Sequence, residues 1–77
     1  MIYDWKRMHG GPFPALETWG LRLLDGTSLV VSFDHEYPDM GWRASYRRPY
    51  DPTTHYLDRF DDMATAMTRV FELAKCA

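Results

Sequence analysis

Between residues 18 and 34 apolar and polar side chains alternate with a period of two. Trp19, Leu21 and Leu23 share one face of 18–24, and Leu29, Val31 and Phe33 share one face of 27–34. That pattern predicts two half-buried strands. Asp25-Gly26 between them predicts a hairpin turn. A two-residue turn would set Leu23 beside Ser28 and Trp19 beside Ser32, mixing the faces. A loop of Asp25-Gly26-Thr27 instead pairs Leu23 with Leu29, Leu21 with Val31 and Trp19 with Phe33. A one-residue slip turns every side chain over, so the buried face decides, and the second register or a bulge restoring it is expected.

The alternation resumes at 40–48 after the polar connection His35-Glu36-Tyr37-Pro38-Asp39. Trp42, Ala44 and Tyr46 point one way; Arg43, Ser45 and Arg47 point the other. Pro49-Tyr50-Asp51-Pro52 ends this strand. Residues 55–60 form a weaker strand pattern with no consistently apolar face, which places them at an edge. The period then changes. Met63, Met67, Val70 and Ala74 follow helical spacing, with Ala66, Phe71 and Leu73 widening the stripe. Asp61 and Asp62 supply a capping carboxylate and acidic charge at the positive end of the helix dipole, and Lys75 supplies a cation near the other end. Residues 1–16 are compatible with a short edge strand, a helical turn or an arm packed by Tyr3 and Trp5. The run His9-Gly10-Gly11-Pro12-Phe13-Pro14 interrupts any regular element. The expected fold is α+β: a small antiparallel sheet of three to four strands with one C-terminal helix on one face. A single domain spans 1–77, with an arm or strand at 1–16, the sheet at 18–60 and the helix at 61–77.

Size and composition sharpen this picture. A chain of 77 residues buries only about 60% of its unfolded surface. The single cysteine, Cys76, rules out an intrachain disulfide and reads as a free thiol at a helix end. Aromatic burial is the available compensation, with three tryptophans, five tyrosines and four phenylalanines. That is more than so small a core needs, so some are expected at the surface, where aromatics mark interfaces. A net charge of −2 gives no strong pull toward nucleic acid or an anionic membrane. No apolar run approaches the roughly 20 residues of a membrane span, and the first residues lack a signal-peptide core. The expected location is the cytoplasm.

Chemistry-bearing patterns are sparse. His9, His35 and His55 lie in no zinc-binding spacing, and no cysteine pair accompanies them. His35 and Glu36 would point in opposite directions from an extended segment. The carboxylates Asp34, Glu36, Asp39, Asp51, Asp58, Asp61 and Asp62 form no pair whose environments would push two pKa values apart. There is no nucleophile elbow and no glycine-rich phosphate loop. No catalytic residue, metal or cofactor is expected. Residues 42–50 mix arginine with aromatics, as single-strand nucleic-acid binders do. Alternation places Arg43 and Arg47 opposite Trp42 and Tyr46, however, and acidic residues flank the segment.

The start at Met1, the short length, the single Cys76, the strand-rich middle and the closing 61–77 helix together resemble, in general style, the small accessory proteins of phages and mobile elements. Anti-CRISPR proteins are one such group. The resemblance implies a protein that acts by occupying a surface of a host effector complex, and it carries over no functional residue. The expected function is a non-enzymatic protein-binding module, an inhibitor or adaptor, whose partner is a host protein or ribonucleoprotein complex. The expected partner-binding residues are Asp34, Glu36, Tyr37 and Asp39 of the acidic loop with Arg43, Arg47, Arg48 and Tyr50 of the arginine–aromatic strand. A small nucleic-acid binder using the same strand is the alternative. Either a monomer or a homodimer joined through an edge strand fits these patterns.

Overall fold

The structure, a computed structural model, describes residues 4–8, 15–57 and 59–75. The expectations for residues 1–3, the interruption at 9–14, Asp58 and Cys76 lie outside them. Five strands form an antiparallel meander in chain order: β1 (Lys6–Met8), β2 (Leu16–Arg22), β3 (Ser28–Asp34), β4 (Trp42–Arg47) and β5 (His55–Tyr56). A 3-10 turn at Pro38–Met40 joins β3 to β4, and the helix α1 (Met63–Lys75) closes the described chain. The fold is α+β as expected, with one strand more than the upper count. The addition is β1, which settles the open reading of the N-terminal segment as a short edge strand. Trp5, just before it, packs against the core.

The helix lies on β3 and β4. Leu29, Val31 and Ala44 from the sheet meet Ala66, Val70 and Ala74 from the helix, all buried. Each fully buried Leu or Val contributes about 1.5–3 kcal/mol. Trp19, Leu21, Trp42, Tyr46, Met63 and Met67 close the rim of this core. Leu73, expected to widen the helical stripe, is left exposed on its flank. The helix start is capped by Asp62, whose Oδ1 accepts the backbone N–H of Thr65 at 2.7 Å. That bond holds the Asp62 carboxyl below its ordinary range.

The faces of the β2–β3 hairpin are those the alternation predicts, but the pairing differs. Leu21 pairs with Leu29 and Trp19 with Val31, while Phe33 faces Glu17. The loop is Leu24-Asp25-Gly26: Leu23 N–H donates to Thr27 O, and Gly26 N–H to Leu23 O. Gly26 sits in the left-handed region at φ 93°, as a three-residue hairpin loop requires of its last residue. The register is displaced by two residues from the expected one, so the faces survive. Asp25 Oδ1 accepts Thr27 N–H at 2.8 Å and fastens the loop. Leu24 is left wholly exposed at the tip. β5 is the predicted edge, short at two residues. Beyond it, Trp42 and Phe60 exchange two backbone hydrogen bonds of 2.8 Å.

Among the described residues, no helix is long and apolar enough to cross a membrane.

Candidate functional site: the uncovered sheet face

Because side chains alternate, one sheet face lies under α1 and the other faces away. Among the described residues, that second face is bordered at one end by the 3-10 turn, whose Met40 lies beside Leu16, Ser32, Asp34 and Arg43. The strand register sets its rows. Arg22, Ser28 and Arg47 form one, at the hairpin end. Lys6, Gly20, Val30, Ser45 and Tyr56 form the next. Met8, Thr18, Ser32 and Arg43 form the third, and Leu16 with Asp34 the last.

Three properties stand out. Lys6, Arg22, Arg43 and Arg47 are cations on the face, and among the described residues none has a carboxylate partner. Arg47 makes only a 3.3 Å bond from Nε to the Asp51 carbonyl. The floor between them consists of Thr18, Gly20, Ser28, Val30, Ser32 and Ser45, and the Met8 side chain lies over Gly20. Exposed Met8, Met40 and Tyr56 border it, Tyr56 being 81% exposed. Acidic groups are interspersed: Asp4 lines a shallow depression with Lys6 and Arg22, and Asp39 lines another with Arg43.

The predicted site residues separate into groups. Asp34, Asp39 and Arg43 gather at one end of the open face. Asp34 Oδ1 is engaged by the Glu36 N–H at 2.9 Å and shapes the loop. Glu36 and Tyr37 are exposed beside it. Arg47 stands at the other end of the same face. Arg48 does not join it: its guanidinium turns to the helix side, over the Tyr46 ring, and donates to Ala74 O at 2.8 Å. Tyr50 is exposed in the following turn, next to Pro49 at the hairpin loop. Lys6, Arg22, Tyr56 and Arg59 belong to the surface although the sequence reading left them out of the site. Alternation marks Arg22 as outward-facing, whereas Lys6, Tyr56 and Arg59 lie in segments without a consistently apolar face and are placed here by the strand order and the chain beyond β5.

The remaining ionisable clusters lie on the helix side of the sheet and serve the fold. Glu17 accepts Trp19 Nε1–H at 2.8 Å and contacts His35 Nε2 at 2.9 Å, while His35 meets Phe33 edge-on. The Trp19 bond, then the His35 contact, hold the Glu17 carboxyl below its ordinary range. Asp51 caps its own turn through Thr53 N–H and contacts His55, which stacks on Tyr46. Its carboxyl is lowered first by the Thr53 bond and then by His55. Among the described residues, no three His, Cys, Asp or Glu side chains come together as a metal site would require.

Searches against protein-family models, curated proteins and solved structures returned no match for this chain.

Proposed function

We propose that the protein is a non-enzymatic protein-binding module, an inhibitor or adaptor acting in the cytoplasm as a monomer, and that it docks through its uncovered sheet face. The observation that carries this reading is the make-up of the face: cations without carboxylate partners among the described residues, bordered by Met8, Met40 and Tyr56. Arg, Tyr and Met are enriched where binding energy concentrates in protein interfaces. The interspersed Asp4, Asp34 and Asp39 give a mosaic of charge, which suits another protein surface better than a continuous polyanion. An effector complex of the kind bound by anti-CRISPR-like proteins fits this description as a partner. Self-association through a sheet edge is disfavoured by the short described edges: three residues in β1, with Lys6 and Arg7 among them, and two in β5.

A nucleic-acid strand is the second reading, favoured by the same unpartnered cations. Against it, Trp42 and Tyr46 lie on the helix side, so among the described residues Tyr56 is the aromatic left on the face for stacking.

The test is a pull-down from native-host lysate, with and without nuclease, comparing wild type with Arg43→Glu combined with Arg47→Glu. A stoichiometric protein partner that survives nuclease and is lost with the double variant is expected. A partner retained by a correctly folded double variant removes this face from the interface, and recovery that vanishes with nuclease moves nucleic acid to first place.

A further inference from the structure

We infer that the depression between β4, β5 and the 3-10 turn is the anchor pocket of this face, and that it takes the carboxylate of an acidic side chain, Asp or Glu, on the partner protein. The inference rests on the docking role of the face and adds the chemistry of what is docked. The depression encloses ≈ 590 Å³ and is lined by Asp39, Met40, Arg43, Tyr56, Leu57 and Arg59. Two arginines therefore line one hollow, and among the described residues neither has an ion-pair partner. Guanidinium is the cation best matched to a carboxylate, through two parallel N–H bonds.

Arg59 is exposed, but the backbone beside it is fixed and its stem lies against Gly41. The bridge between Trp42 and Phe60 fixes the chain at the next residue through two 2.8 Å bonds. Gly41 is buried, and a Cβ built there would fall 2.8 Å from Arg59 Cγ and 2.9 Å from Arg59 Nε. The stem of Arg59 thus runs across the α-carbon of Gly41, a path open only because residue 41 has no side chain. A stem bounded on one side by Gly41 has fewer rotamers to lose when it binds.

The ligand's charge and shape follow from the lining. Among the described residues, Arg43 and Arg59 outweigh Asp39 and leave the lining net positive, which suits an anionic group such as a carboxylate. Met40, 41% exposed, supplies apolar contact beside the charges. The occupant is accordingly an acidic side chain with an apolar neighbour.

The test is NMR of the full chain, following the Nε–Hε signals of Arg43 and Arg59. The probe is a capped tripeptide of leucine, glutamate and leucine. Its glutamine analogue and a thymidine dinucleotide serve as controls. The glutamate peptide is expected to shift both arginine signals saturably while the glutamine peptide leaves them in place. Arg43→Gln with Arg59→Gln should weaken binding about tenfold or more, with the amide spectrum of the fold retained. Saturable shifts from the dinucleotide at equal or higher affinity would overturn the assignment in favour of phosphodiester. The absence of saturable shifts from the glutamate peptide would also overturn it. The docking role of the face is judged separately, by loss of the lysate partner in the Arg43→Glu, Arg47→Glu variant.

Discussion

The Arg48 guanidinium donates to the carbonyl oxygen of Ala74 at 2.8 Å and lies 5.5 Å from the centre of the Tyr46 ring. One side chain thereby ties the end of β4 to the last turn of α1, where carbonyls lack helical partners and a cation is favoured. Arg48→Ala is expected to lower the unfolding free energy by about 1–2 kcal/mol. Arg48→Lys should lose less, since it keeps the charge but not the flat stacking group. Urea denaturation of both variants measures this. An Arg48→Ala midpoint equal to that of wild type would mean that the strap is ornamental.

Thr27 makes a second stability prediction of opposite sign. Its side chain is fully buried at the hairpin loop, and among the described residues Oγ1 has no hydrogen-bond partner. Its backbone N–H, by contrast, is satisfied by Asp25. Thr27→Val keeps the branched shape and the backbone bond and removes the unsatisfied oxygen. A gain of about 1 kcal/mol is expected, read as a rise in the thermal midpoint. A fall would mean that the hydroxyl is satisfied in solution.

Those two residues also mark where the sequence is and is not legible. Alternation in β2, β3 and β4 gives the faces correctly, because one face must be buried against α1 and a period of two leaves no other choice. The hairpin register is less constrained. Pairings two residues apart preserve the same faces, and the turn decides between them. Gly26 takes the left-handed position at the end of a three-residue loop, which pulls Leu24 into the loop and buries Thr27. β1 gives no apolar signal because its three side chains are all exposed; its place comes from backbone bonds to β2. For the site, alternation turns Arg43 and Arg47 outward, and continued to residue 48 it puts Arg48 with Trp42 and Tyr46 on the helix side, where the structure has it and where the expected grouping of Arg48 with Arg47 did not put it. Arg59 becomes visible only once Gly41 and Phe60 are beside it in space.

Stability should fall on acidification. The carboxyls of Glu17, Asp25, Asp51 and Asp62 are all held below their ordinary values, 4.5 for the glutamate and 3.8 for the aspartates. The leading causes are the Trp19 bond for Glu17 and backbone N–H bonds for the three aspartates. In each case the unfolded chain takes up the proton first as pH drops. The stabilisation is therefore present above the ordinary values and is lost as pH falls through the lower folded ones. Denaturation midpoints from pH 7 down to pH 2 should be flat at first and decline below about pH 4.5. Glu17→Gln should start lower at pH 7 and decline less steeply. A variant as steep as wild type would show that Glu17 titrates alike in both states.

Gly41 joins the stability of the fold to the proposed anchor pocket. Its φ of +66° lies where L side chains are strained. A Cβ would also meet Phe60 O and Arg59 Cγ, each at 2.8 Å. Gly41→Ala should therefore destabilise by about 1–3 kcal/mol. It should also push the Arg59 guanidinium off its path and weaken binding of the glutamate tripeptide. The two clashes can be separated by a double-mutant cycle. Arg59→Ala removes the side-chain neighbour but leaves the Phe60 carbonyl and the backbone strain. The combined variant should then be more stable than the sum of the single losses implies, yet still less stable than Arg59→Ala alone. Strict additivity would show that Arg59 does not lie across Gly41 in solution, and the preorganisation argued for the pocket would fall with it.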